Sequence, residues 1–150
     1  MKRTLGGVIL VAALVFAAGA AYAQDMGIVT GSKKGTYYQF GLNMSELVKQ
    51  KGVRLRVDDS QGSVQNVFSV YKAPDTQMGI VQSDVLAFVS KIQNDPVLQR
   101  IASKTRMVFP FYNEEVHLLA NAEVRDFDDL SGRIVAIGEE GSGIYLTSRL

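Results

Sequence analysis

Cysteine and tryptophan are absent from this chain of 150 residues, and histidine occurs once. Without cysteine there is no disulfide staple, no thiolate zinc site, no catalytic thiol and no lipid-anchored N-terminal cysteine. A large charge of one sign is missing too. With 16 Lys and Arg against 15 Asp and Glu, the chain lacks the basic excess that neutralises phosphates, so nucleic acid is not an expected partner. Disorder is excluded in turn, because 47% of the residues are hydrophobic and call for burial.

What is present begins with an address. Lys2 and Arg3 precede an apolar run from Leu5 to Ala20, and Ala21-Tyr22-Ala23 supplies the small residues of a signal-peptidase site. Residues 1–23 therefore read as a signal peptide, cleaved after Ala23, which sends the rest to the periplasm. The competing reading is an uncleaved anchor, since the run approaches the roughly 20 residues that cross a bilayer. Loss of Lys2 and Arg3 with the leader leaves the mature part nearly neutral, and no second long apolar stretch follows.

Beyond the leader, strand and helix patterns alternate. Met26 to Thr30 is a short apolar run, and Tyr37, Phe40, Met44, Leu47 and Val48 then recur at helical spacing until Lys51-Gly52. Val53, Leu55 and Val57 alternate with charged residues as a half-exposed strand does, and Val64, Val67, Phe68 and Tyr71 follow at i, i+3, i+4, i+7. Met78 to Val81 is a third strand, with Val85, Phe88, Val89 and Ile92 on the helix behind it. Asp95-Pro96 predicts a cap and a first helical proline, opening a helix through Ile101. Met107 to Phe111, Val116 to Ala120 and Ile134 to Ile137 read as further strands, and Asp126 caps a helical turn ending at Ser131-Gly132. Asn113-Glu114-Glu115 is the best linker candidate. The alternation implies an α/β fold with a mostly parallel sheet, flanking helices and right-handed crossovers.

Small and hydroxyl-bearing residues fall where strands give way to helices: Gly35-Thr36, Gly62-Ser63, Ser83-Asp84 and Gly141-Ser142. In an open parallel sheet these junctions gather at the carboxyl edge, where helix starts present unpaired N–H groups and the positive end of the dipole to an anion. Each junction taken singly also reads as a satisfied helix start: Thr36 and Gln39 have capping-box spacing, and Ser83 or Asp84 can cap the third helix.

Two phosphate motifs are near misses. Gly31-Ser32-Lys33-Lys34-Gly35-Thr36 lacks the spacing of a P-loop, and Gly138-Glu139-Glu140-Gly141-Ser142-Gly143 orders its glycines wrongly for a dinucleotide fingerprint. Lys33-Lys34 reads either as solvated charge or as a lure for an acidic ligand. His117 sits in an apolar strand pattern, where a hydrogen-bonded structural role outweighs a general base. The pairs Asp58-Asp59, Glu114-Glu115, Asp128-Asp129 and Glu139-Glu140 read mainly as solvated carboxylates. No nucleophile, base or cofactor motif emerges, so no enzyme activity and no cofactor are expected. A transition-metal site is not expected either, while an all-carboxylate calcium site stays open.

The segments Gly35-Thr36-Tyr37-Tyr38, Gln61-Gly62-Ser63-Val64-Gln65-Asn66, Val81-Gln82-Ser83-Asp84-Val85, Val116-His117-Leu118-Leu119 and Asp129-Leu130-Ser131-Gly132, with Gly141-Ser142-Gly143, resemble in this order the TAXI class of TRAP transporter solute-binding proteins. The resemblance covers essentially the whole mature chain. It implies a type II periplasmic-binding-protein fold, in which two α/β lobes joined by a hinge close on a small organic anion such as a carboxylate or acidic amino acid. The loaded protein passes its solute to a TRAP-type membrane permease, and membrane contact comes only through that permease. Family members commonly carry a glycine-rich first loop where this chain has Ser32-Lys33-Lys34, which implies altered charge at the ligand.

Residues 24–112 then correspond to lobe 1, and 113–150 to the hinge crossing and the start of lobe 2. Leu150 falls inside the first helix of lobe 2, so the chain is expected to be the N-terminal half of a larger protein, apparently truncated in the second lobe. The ligand-binding residues expected on lobe 1 are Thr36, Tyr37, Gly62, Ser63, Gln82, Ser83 and Asp84, with Gly141, Ser142 and Gly143 closing from lobe 2. The alternatives are an enzyme or an exported sensory module built on the same two-lobed fold.

Overall fold

The computed structural model describes residues 25–92 and 95–150. The expected signal peptide lies outside the described residues.

Three strands form one parallel sheet in the order β2-β1-β3: β1 (Asp25–Val29), β2 (Arg54–Asp58) and β3 (Met78–Gly79). β1 is central, with Asp25 opposite Arg54 on one side and Ile28 opposite Met78 on the other. Helix α1 (Thr36–Lys49) links β1 to β2, and α2 (Ser63–Lys72) links β2 to β3. The first crossover leads to one side of β1 and the second returns past it, so right-handed connections put α1 and α2 on opposite faces.

Two separate groups of buried side chains reflect this. Tyr37, Phe40, Met44 and Val48 of α1 pack on Ile28, Leu55 and Ile80. Val64, Val67, Phe68 and Tyr71 of α2 pack with Val85, Val89 and Ile101. The periods of 3.6 and 2 in the sequence are thus both realised. α1 stops where expected: the amides of Lys51 and Gly52 donate to the carbonyls of Val48 and Lys49 at 2.9 and 3.0 Å, and Gly52 takes a left-handed φ of +77°.

Gly41, buried in α1, allows the close approach of that helix. A Cβ there would lie 2.8 Å from both Thr30 Cγ2 and Val57 Cγ1.

Behind β3, α3 (Ser83–Ala87) runs into a π-helical turn, Phe88–Ile92, rather than continuing as one α-helix. Val85 and Val89 still reach the same cluster, so the widened turn keeps the apolar stripe while re-aiming the chain. α4 (Pro96–Lys104) starts as anticipated, one turn longer than expected: the Asp95 carboxylate accepts from the amides of Val97 and Leu98 at 2.6 and 3.4 Å. A 3₁₀ turn, Asp128–Leu130, follows Asp126, whose carboxylate accepts from the amides of Asp128 and Asp129. α5 (Gly143–Thr147) closes the described chain and adds Leu146 to the α2 cluster.

The strands expected over 107–111, 116–120 and 134–137 do not form. Among the described residues no strand lies beside these segments, and a strand without a neighbour has no ladder. Their apolar side chains stay exposed, with Leu119 91% and Val108 77% accessible. His117 shares this fate: its imidazole is exposed, 3.3 Å from the Glu115 carboxylate, rather than held in a buried strand.

Candidate functional site

All three strands point the same way, so the starts of α1, α2 and α3 meet at one edge of the sheet. One buried side chain organises that edge. The Asn66 amide donates to the carbonyls of Thr30, just past β1, and Ile80, just past β3, the latter at 2.7 Å; its oxygen accepts from the Ser60 hydroxyl at 2.6 Å in the loop after β2. All three strand ends are therefore tied to the first turn of α2. Ser60 Oγ also accepts from the Gly62 amide at 3.0 Å, and Thr30 Oγ1 donates to the Asp58 carbonyl at 2.8 Å.

The capping expected at these junctions is not made. The caps of α1, α2 and α3 are Gly35, Gly62 and Gln82, none with a side-chain cap bond. Thr36 lies inside α1 as its first residue, so Thr36 and Gln39 form no capping box. Asp84 accepts from the adjacent Val85 amide at 2.8 Å instead of capping α3. In contrast, α4 and α5 are capped by Asp95 and Ser142. Among the described residues, the amides of Thr36, Tyr37, Ser63 and Ser83 have no acceptor, and the hydroxyls of Thr36 and Ser83 have no partner. These are unspent donors at positive helix ends.

Ser63, Gln82 and Gly143 come together. The buried Ser63 hydroxyl accepts from the Gln82 amide at 3.1 Å and lies 3.5 Å from Gln82 Oε1. A Cβ on Gly143 would fall 1.3 Å from Gln82 Oε1 and 2.9 Å from Ser63 Oγ, and one on Gly62 would fall 3.3 Å from Ser142 Cα. Further bonds join the same walls: the Gln65 amide donates to the Gly141 carbonyl at 3.3 Å, and the Thr147 hydroxyl donates to the Asp84 carboxylate. Glycine at 143 leaves the space that the Gln82 side chain occupies. Of the expected site residues, Gly62, Ser63, Gln82, Asp84, Gly141, Ser142 and Gly143 are thus in one cluster, with Ser83 at its rim.

Tyr37 borders the cluster from α1. Its phenol donates to Glu114 Oε2 at 2.8 Å, and the Tyr112 phenol donates to Glu114 Oε1 at 3.2 Å. Burial pushes the Tyr37 phenol well above its ordinary value; the Glu114 hydrogen bond and charge push the same way, while Ser63 acts in the opposite sense. The Tyr112 phenol is also raised, by burial first and by Glu114 second. Phe40 stacks on Tyr112 with centroids 5.5 Å apart and meets Phe111 at 5.4 Å, which docks the start of the crossing segment on α1. Neither Glu114 nor Asn66 was singled out for the site by sequence. An amide inside an apolar helical stripe was the available signal for Asn66; nothing local signals Glu114.

Lys33 pairs with Asp59 at 3.7 Å on the surface. A hollow of about 460 Å³ lies at the opposite edge of the sheet, lined in part by Asp25, Arg54, Arg56 and Asp75. Its arginines are already paired, Arg54 with Asp25 at 2.6 Å and Arg56 with Asp75 at 3.0 Å, so it is not an anion site. No helix among the described residues is long and apolar enough to cross a membrane.

The model of the NMT1-like family matches residues 28–150. The chain belongs to that family, a group of periplasmic-binding-protein-like binding proteins, and the small α/β fold with its three-stranded parallel sheet agrees with this. Membership suggests an extracytoplasmic solute-binding role, with a transporter as the general kind of partner.

Proposed function

We propose that this member of the NMT1-like family is the extracytoplasmic solute-binding subunit of a TRAP-type transporter of the TAXI class, exported to the periplasm by residues 1–23. It captures a small organic anion, a carboxylate or acidic amino acid, and delivers it to the membrane permease. Lobe 1 is 24–112, and 113–150 holds the hinge crossing and the start of lobe 2. The observation that carries the reading is the contrast in capping: Gly35, Gly62 and Gln82 make no side-chain cap bond at the starts of α1, α2 and α3, which leaves the amides of Thr36, Tyr37, Ser63 and Ser83 without acceptors among the described residues, whereas Asp95 and Ser142 cap α4 and α5.

Mechanistically, the anion is held by the amides of Thr36, Tyr37, Ser63 and Ser83, the hydroxyls of Thr36 and Ser83 and the side-chain amide of Gln82, and Gly141, Ser142 and Gly143 swing away to admit it and return to exclude water. Hydrogen bonds to a charged group contribute about 1.5–3 kcal/mol each, and a helix terminus adds about 0.3–1 kcal/mol. Three or four such contacts, together with apolar packing from Tyr37, reach roughly micromolar affinity, about −8 kcal/mol, only when closure excludes water and both walls contribute.

Calorimetry with a panel of dicarboxylates and acidic amino acids, on the protein with both lobes complete, tests the reading; residues 1–150 alone should bind poorly, because affinity needs both walls. Ser83→Ala should weaken binding about tenfold, the loss of one such contact, while Asp95→Ala, outside the cleft, should leave affinity unchanged. Absence of binding across the panel, or equal losses from both variants, refutes it.

A further inference from the structure

Glu114 differs from the other carboxylates of the surface in being held by two phenols. Among the described residues its side chain meets no lysine, arginine or histidine; both its oxygens are held by neutral phenols, Tyr37 at 2.8 Å and Tyr112 at 3.2 Å. A carboxylate oxygen accepts from more than one donor, so each retains capacity. Tyr37 lies in the first turn of α1, so its bond places the Glu114 charge at the carboxyl edge of the sheet, beside the free helix starts. The phenols fix its position through α1 and through the aromatic contact of Phe40 with Tyr112.

Taking the cleft as the solute site argued above, we propose that Glu114 is a charge-selecting group: it receives an ammonium on the solute and rejects a second carboxylate at the Tyr37 end. The cleft then has two unlike poles. The helix start of α2 attracts a carboxylate. The phenol-bound Glu114 attracts a cation, because an uncompensated negative charge repels a like one and draws an opposite one. The preferred solute is therefore zwitterionic, with a net charge nearer zero than that of a dicarboxylate.

The test compares two probes that differ only at one end, glutarate and 4-aminobutyrate, by calorimetry on the same two-lobed protein and on its Glu114→Gln variant, which keeps the shape and one acceptor. The wild type should prefer 4-aminobutyrate, and Glu114→Gln should shift the ratio toward glutarate at least about tenfold, which corresponds to about 1.4 kcal/mol. Tyr37→Phe, which unfastens Glu114 without removing its charge, should give a smaller shift in the same direction. A ratio unchanged in Glu114→Gln, while the carboxylate panel still binds, overturns the role of Glu114 alone. Failure of both probes and of the panel overturns the solute cleft itself.

Discussion

Replacement of Asn66 by alanine should cost more stability than any other single change at the carboxyl edge. The side chain is fully buried and makes three hydrogen bonds, to Thr30, Ile80 and Ser60. The carbonyls of Thr30 and Ile80 have no other partner among the described residues. Truncation therefore leaves two buried acceptors unpaired, at about 1–3 kcal/mol each. Water entering the vacated space offsets part of that, so the expected loss is about 2–5 kcal/mol. For a domain whose whole stability is about 5–15 kcal/mol, this moves the urea midpoint far to the left. Ser60→Ala should cost only about 0.5–1.5 kcal/mol. The double variant should fall short of additivity, since each residue is the other's partner. A loss below about 1 kcal/mol for Asn66→Ala, or strict additivity with Ser60→Ala, would refute the idea that one amide ties the three strand ends.

Gly41→Val should destabilise by about 1–3 kcal/mol through overpacking, even though valine is the better helix former, because Thr30 and Val57 already fill the space; a neutral melt contradicts this. Asp95→Ala should cost about 0.5–2 kcal/mol, read from thermal unfolding, as the cap of α4 is lost. Absorbance titration near 295 nm should find a tyrosine that ionises later than the ordinary value of 10, absent in Tyr37→Phe and shifted earlier in Glu114→Gln. Because the folded value is raised, the neutral phenol favours folding: that contribution is complete below pH 10 and is lost as the pH rises beyond it. A single titration step common to every tyrosine counts against the buried Tyr37 contact.

Much of the architecture was legible because burial imposes periodicity. The stripe Tyr37, Phe40, Met44, Val48 marks α1 without reference to anything distant, and Asp95-Pro96 marks a helix start through chemistry confined to three residues. The segments 107–111, 116–120 and 134–137 have strand-like composition too. Composition states only that a segment suits a sheet, whereas a strand exists when another lies 4.7–4.9 Å or so away. The π turn after Ala87 escaped notice because Val85, Phe88 and Val89 fit either winding. At the candidate site, convergence of the junctions followed from parallel topology alone. Which hydroxyls act as caps did not: Thr36 and Ser83 looked like helix starts, and their neighbours Gly35 and Gln82 took that position, leaving the hydroxyls unspent. Glu114 reaches Tyr37 over a sequence separation of 77, a distance at which no local pattern carries information.

The central place of β1 bears on the order in which the molecule assembles. β2 and β3 touch β1 and not each other, so neither can pair until β1 is in place, and any change that withholds Asp25–Val29 leaves no sheet at all. In chain order β1 precedes both its partners, so the later strands arrive to a segment already present. Each loop then closes onto an existing edge, and the two long searches that parallel strands impose become successive short ones.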